Sequence, residues 1–209
     1  MPKAALTHFK KVDPLLYRAA KKYGAEITID ERRPKDPFTS LCRSIVGQQL
    51  STKAARAIWH RYVALFPKET PTPLRLKKFN DMRLREAGLS FGKIKALRAL
   101  AEAVTKKKRL FSSLHTLPDQ TIRDELITIH GIGPWTIEMF LMFTLLREDV
   151  FSPGDLGLRK GIMRLYSLDK HPTQKEAVER AERWQPYKTY ASLLLWALTD
   201  DKSAPTAKT

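Results

Sequence analysis

Apolar residues recur along nearly the whole chain at spacings of three and four, the period of a helix that buries one face. Leu41, Ile45 and Val46 share a stripe of the segment Phe38 to Gln48, and Ala55, Ile58, Tyr62 and Phe66 share a stripe of Thr52 to Phe66, which Ser51 is placed to cap. The same pattern predicts helices over 12 to 23, Lys93 to Lys107, Asp119 to Ile129 after Pro118, Trp135 to Leu146, Glu176 to Trp184 and Tyr187 to Leu198. A short helix is expected from Asp81 to Ala87, ending at Gly88, while Pro71 and Pro73 break the pattern before it. Only Ala25 to Ile29 alternates as a strand would, and it is too short to pair into an independent sheet. The expected fold class is therefore all-α. There is no internal repeat, and the low-complexity stretches are Lys106 to Arg109 and the tail Ser203 to Thr209, which reads as disordered.

A chain of 209 residues is long enough for one sizeable core, or for two small lobes, without disulfides or metals to hold it together. No cofactor is required on that ground. Its apolar content of 43% is that of an ordinary globular protein, and no apolar run approaches the roughly 20 residues that span a bilayer, so no membrane partner is expected. The start, M-P-K-A-A-L-T-H-F-K-K, lacks the long apolar core of a secretory signal, so an intracellular place is expected. The single cysteine, Cys42, excludes an intramolecular disulfide, a four-cysteine zinc site and a four-cysteine iron–sulfur cluster.

Charge changes the picture more. The net charge is +16, and it is unevenly spread: residues 1 to 109 carry 26 Lys and Arg against 9 Asp and Glu, whereas residues 110 to 209 carry 12 against 13. One half holds the basic field. A surface of that kind releases counterions from a polyanion, and nucleic acid is the commonest polyanion a protein of this class meets. A merely solvated basic face is the competing reading, because charge patterns alone are weakly specific.

The most informative segment is Leu126 to Glu138, L-I-T-I-H-G-I-G-P-W-T-I-E, which joins two helices by a tight turn. Gly131 and Gly133 flank Ile132, so glycine supplies turn conformations and clears side chains where the backbone must approach something. The amides opening the second helix lack intrahelical partners and sit at its positive end, which suits a phosphate. Pro134 fits the first helical turn. A bare G-x-G would be better explained as an ordinary glycine-capped hairpin.

The flanking residues decide between these. L-x-x-I-H-G-I-G-P-W-T, followed after an apolar helix by F-S-P-G-D-L-G-L-R-K-G, resembles the helix-hairpin-helix and Gly/Pro-rich loop with Asp of the base-excision DNA glycosylases. The branch it is most similar to is 3-methyladenine DNA glycosylase II, which L-C-R-S-I-V-G-Q-Q-L-S (Leu41 to Ser51) and G-L-S-F-G-K-I-K (Gly88 to Lys95) also match in order and spacing. The matches run from about residue 38 to 165.

The resemblance implies two helical lobes with the hairpin and an active-site cleft between them. Residues 36 to 150 would form one helical bundle containing the hairpin (about 118 to 146), and 1 to 35 would join 151 to 209 in the other. It implies a monomer acting on duplex DNA that contains damaged bases, and hydrolysis of the N-glycosidic bond of alkylated purines of the 3-methyladenine and 7-methylguanine class after base flipping. Asp155 occupies the position of the family's catalytic Asp. From local sequence alone, that residue reads equally well as an N-cap for the segment beginning Leu156-Gly157. Chemically the role is sound, since departure of the base builds positive charge on the sugar and a carboxylate stabilises it.

Trp135 stands where family members with lyase activity carry a lysine. Indole cannot form the Schiff base that leads to strand cleavage, so water is the expected nucleophile and the enzyme is expected to be monofunctional. The resemblance gives Trp135 and Trp196 as pocket aromatics, suited to a cationic base by stacking and cation–π attraction of roughly 0.5 to 2 kcal/mol. Met139 falls where some relatives have another aromatic. Trp59 and Trp184, on apolar helical stripes, read as core.

The turn Gly47-Gln48-Gln49-Leu50 resembles the wedge that fills the gap left by a flipped nucleotide, with Gln49 inserting and Leu50 beside it; the competing reading packs Leu50 inward. DNA contact is expected from Gln48, Gln49 and Leu50, from Gly131, Gly133 and Thr136 of the hairpin, and from Lys93, with Lys95 and Arg98 as further phosphate candidates. Main-chain carbonyls of Ile127, Ile129 and Ile132 are placed to hold a structural Na+ or K+, as in some relatives. Two alternatives stay open: a non-catalytic helix-hairpin-helix DNA-binding module, which needs no Asp155, and a glycosylase for deaminated, etheno or oxidised bases.

Overall fold

A computed structural model describes residues 1–29 and 36–201, and among them every regular element is helical. Lys3–Val12 (α1) and Pro14–Tyr23 (α2) open the chain, and Pro37–Gly47 (α3) and Thr52–Val63 (α4) follow. Pro73–Leu76 (α5) and Asp81–Glu86 (α6) are short, whereas Phe91–Lys106 (α7) is the longest. Lys108–Ser113 (α8), Asp119–Leu126 (α9) and Pro134–Phe143 (α10) come next, then Leu156–Tyr166 (α11), Gln174–Ala181 (α12) and Lys188–Asp200 (α13). The chain divides into two compact units, Met1–Glu31 with Leu146–Thr209, and Arg32–Leu145. The first is built from both ends of the sequence.

Local chemistry sets the boundaries. The helix expected over 12 to 23 is α2 and begins at Pro14, because Asp13 and Pro14 form a start signal: the Asp13 carboxylate accepts the Leu16 amide at 3.0 Å and Pro14 takes the first turn, while α1 before it was not expected. Ser51 caps α4 as its sequence predicts, through the Ala54 amide. The helix expected from Lys93 begins at Phe91, since Ser90 accepts the Lys93 amide at 3.3 Å. Lys106 ends α7, Lys107 is a non-helical junction and Lys108 and Arg109 open α8, whereas the tail from Ser203 lies outside the described residues. Ala25 to Ile29 forms no strand. Its alternation is real, with Ile27 and Ile29 buried in a core, but no ladder partners it.

In the first unit Phe9, Leu16, Leu158, Ile162, Trp184 and Leu194 are fully buried around one core. Asp13 is buried with them and is satisfied: Trp184 Nε1 donates to it at 2.9 Å, and the Tyr166 hydroxyl donates as well. Burial beside that carboxylate pushes the Tyr166 phenol above its ordinary value. Helices α11 and α13 cross so closely that a Cβ on Gly161 would lie 2.7 Å from the Leu195 Cβ. In the second unit α3 is central, packed against α4, α7 and α10, with Leu41, Ile45, Leu97, Leu100 and Phe140 buried. The Cys42 thiol is buried under the Tyr62 hydroxyl, and burial raises it far above the ordinary thiol value, so it is inert.

Candidate active site

The turn Ser152 to Asp155 presents a carboxylate at the start of α11. The Asp155 amide donates to the Ser152 carbonyl at 3.1 Å, closing the Pro153-Gly154 turn. Asp155 caps α11 through Oδ1, which accepts the Leu158 amide at 2.8 Å and also Trp196 Nε1, from α13, at 3.1 Å. The capping reading is therefore correct, and it does not compete with a chemical role, because the same bonds fix the carboxylate's direction. Gly157 makes the arrangement possible. A Cβ there would lie 2.9 Å from Asp155 Oδ1 and 3.1 Å from Cδ1 and Nε1 of the Trp196 indole. The one position in the first turn of α11 where the ring crosses the backbone has no side chain. Trp196 is half-buried, as is Asp155.

The hairpin comprises α9, the turn from Ile127 to Gly133, and α10. Its two glycines serve different ends. Gly131 has φ +84°, and a Cβ on it would sit 2.3 Å from the Ala96 Cβ, so the turn lies directly against α7. Gly133 has φ −103° and a Cβ there would meet nothing within 4 Å. Packing within the chain does not demand glycine at 133, so the space beside the start of α10 is open. No side chain caps α10, whose first residue is Pro134 and so carries no amide donor. Ile129 and Ile132 are buried while Ile127 is exposed, and the Ile129 carbonyl accepts the Ile132 amide at 3.0 Å.

The α3–α4 turn is fastened to this hairpin. Gln48 Nε2 donates to the Gly131 carbonyl and to Thr136 Oγ1, each at 3.0 Å. Gln48 and the buried Thr136 therefore have their side chains engaged within the protein and are positioned to hold the hairpin rather than to reach outward. Lys93 behaves alike: its Nζ donates to the Val46 carbonyl at 2.7 Å, and partial burial pulls the ammonium below the ordinary lysine value. Arg98 is held by the Asp81 carboxylate and by the Phe79 carbonyl at 2.8 Å, whereas Lys95 is exposed. Gln49 and Leu50 do face outward. Gln49 adopts φ +55°, and Leu50 is 38% exposed, which rules out the inward-packed alternative.

Within the second unit a groove of about 750 Å³ opens over α3, between the facing stripes of α4 and α10. Trp135, 39% exposed, lines it with Met139, as does Trp59, the residue sequence reasoning missed. Trp184 is core, as expected, but Trp59 is only half-buried, leaning on Tyr62 with ring centroids 5.6 Å apart. Trp59 shares the groove side of α4 with Ala55 and lies one turn from the buried Tyr62, and no spacing signal separates it from the core stripe.

Comparison with known proteins bears on this arrangement. The family model described as HhH-GPD superfamily base excision DNA repair protein matches residues 42–186. DNA-3-methyladenine glycosylase 1 of Schizosaccharomyces pombe is 32% identical over 196 residues, which cover 90% of this chain and 84% of that protein. Among solved structures, the S. pombe 3-methyladenine DNA glycosylase in complex with abasic DNA superposes with a TM-score of 0.87 at 30% identity, covering 98% of this chain and 100% of that one. A DNA-3-methyladenine glycosidase from Bacillus halodurans gives 0.79 at 36% identity, covering 93% and 89%.

Proposed function

The chain belongs to the HhH-GPD superfamily of base excision DNA repair proteins, and on that footing we propose a division of labour among its residues. It is an alkylpurine DNA glycosylase that hydrolyses the N-glycosidic bond of damaged nucleotides in duplex DNA, and its relatives are named DNA-3-methyladenine glycosylases. The observation that carries the assignment of the chemistry is the Asp155 carboxylate, aimed by the Leu158 amide and the Trp196 indole.

Breaking the bond between an alkylated purine and deoxyribose moves the bonding electrons onto the base and leaves positive charge on the sugar. A 3-methyladenine or 7-methylguanine base is already cationic, so it leaves without an acid. The need is for a negative charge near the sugar, and Asp155, held in place before the reaction, supplies it without reorganisation. The same carboxylate orients the attacking water or accepts its proton. Trp135 and Trp196 offer electron-rich faces that attract a cationic ring, with Met139 completing the wall beside Trp135. Gln49 and Leu50 enter the duplex to fill the gap of the flipped nucleotide. Backbone amides of Gly133, Trp135 and Thr136, around the first turn of α10, take a phosphate. The carbonyls of Ile127, Ile129 and Ile132, hard oxygen donors of the kind monovalent cations prefer, would hold a Na+ or K+ there, which would add positive charge to the turn. The protein would act as a monomer where the genome lies, in a bacterial nucleoid or a nucleus.

Trp135 in place of an amine fixes the outcome: an abasic site and a free base, with no strand cut. The test is incubation of methylated duplex DNA with the protein, followed by assay of free bases and of strand breaks before and after hot alkali. Release of 3-methyladenine or 7-methylguanine with breaks only after alkali is expected. Breaks before alkali would contradict the role given to Trp135, and no base release would contradict the enzyme itself.

A further inference from the structure

The cations that sequence spacing offers for the DNA backbone are largely engaged inside the protein. Lys93 holds the Val46 carbonyl, and Arg98 holds Asp81 and Phe79. Others stand elsewhere. Arg43 on α3 and Arg56 and His60 on α4 line the groove that also holds Trp59 and Trp135, and all three are exposed. None of the three makes a side-chain hydrogen bond or ion pair among the described residues. The remaining lining of the groove is apolar or neutral, with Thr39, Ser40 and Ser44 contributing hydroxyls and no carboxylate among them.

The helical periods explain the gathering. Ser40, Arg43, Ser44 and Gly47 recur along one face of α3, Ala55, Arg56, Trp59 and His60 along one face of α4, and Trp135, Met139 and Phe143 along one face of α10. The small residues Gly47 and Ala55 bring the α3 and α4 faces together, with a Cβ on Gly47 only 3.8 Å from that of Ala55. Two guanidiniums are thereby set in a concave, partly apolar wall, where charge is stronger than on an open surface. That arrangement calls for an anion.

We infer that this groove seats the DNA backbone, with Arg43 and Arg56 clamping phosphodiester groups next to the Gly47–Leu50 turn. The inference rests on the glycosylase reading for the identity of the polyanion, and two further observations support it. Leu50 and Gly47 line the same groove, so it is continuous with the segment that enters the duplex. The guanidiniums also share the groove with Trp135. Left unneutralised, they would repel the cationic base that Trp135 is there to attract. A phosphodiester between them removes that opposition, so the groove accepts a positive base only once the backbone is in place.

The test is the affinity of the wild type, Arg43→Gln, Arg56→Gln and the double variant for a duplex carrying a tetrahydrofuran abasic analogue, titrated across a range of KCl concentrations. Lys175→Gln, an exposed change in the other unit, serves as the control. Each arginine substitution is expected to weaken binding about tenfold at low salt and to lower the slope of log Kd against log salt by about 1, with about 2 for the pair. Thermal melting checks that the variants are folded, and a lost fold would not selectively flatten the salt dependence of the protein that remains. Slopes and affinities equal to those of the wild type and the control would overturn the inference. Base release from methylated DNA by the wild type is scored separately: its absence would sink the glycosylase reading, while the salt slopes would still decide the groove.

Discussion

Gly157 shows how much of a site can depend on a missing methyl group. In a helix interior Ala is favoured over Gly by about 1 kcal/mol. At 157, however, that methyl would press on Asp155 Oδ1 and the Trp196 ring at 2.9 and 3.1 Å. The added propensity and the crowding are of similar size, so Gly157→Ala should change the melting temperature by only a few degrees. Its effect on chemistry should be larger, because turning the indole away releases the carboxylate it aims: single-turnover base release is expected to fall about tenfold or more. A variant with unchanged rate would show that the Trp196 contact does not matter to Asp155. At this scale the sequence was legible where a residue sits in a motif, as Asp155 does, and illegible where it sits at the edge of a stripe. Trp59 falls between the core side of α4 and the groove side, and periodicity alone assigns it to the former. The engagement of Lys93 and Gln48 was equally hidden, because each partner lies more than 45 residues away.

The hairpin turns on the same arithmetic with the opposite sign at its two glycines. Gly131→Ala places a residue with a Cβ at φ +84°, which costs about 1 kcal/mol, and drives that Cβ to 2.3 Å from the Ala96 Cβ and 3.2 Å from its Cα on α7. Opening that helix contact adds about 1 to 3 kcal/mol, so the variant should lose about 2 to 4 kcal/mol in denaturant unfolding. Gly133→Ala meets nothing and should leave stability within about 0.5 kcal/mol while weakening DNA binding, since the added methyl occupies the space in front of the α10 amides. Equal stability losses at both positions would contradict the distinction drawn between them. Most helices were legible from their stripes, with ends displaced wherever a cap went unread. Asp13-Pro14 and Ser90 are such caps, and both carry ordinary N-terminal signatures. Helix α11 shows the converse, since its cap was read at Asp155 while its length was not.

For the chain taken together, composition foretold the class and little of the arrangement. The helical periodicity left an all-α protein, as found among the described residues. The division into Met1–Glu31 with Leu146–Thr209 and Arg32–Leu145 followed from no local pattern, because a unit assembled from both ends of a chain leaves no mark on spacing. Charge was informative in bulk: the excess of basic residues lies before residue 110, and the groove arginines belong to that stretch. What bulk charge cannot show is which cations are already engaged, and only the hydrogen bonds of Lys93 and Arg98 reveal that.

The central claim is that this chain removes an alkylated base by means of one carboxylate, and Asp155→Asn tests it with little else disturbed. Asparagine is as good an N-cap as aspartate and can still accept the Leu158 amide, so α11 should remain intact while the negative charge is lost. The measurement is the single-turnover rate of 3-methyladenine release from duplex DNA at saturating protein. A fall of about a hundredfold or more, with DNA affinity within a few-fold of wild type, is the predicted result. A rate within a few-fold of wild type would contradict the account, and would return Asp155 to the role of a helix cap.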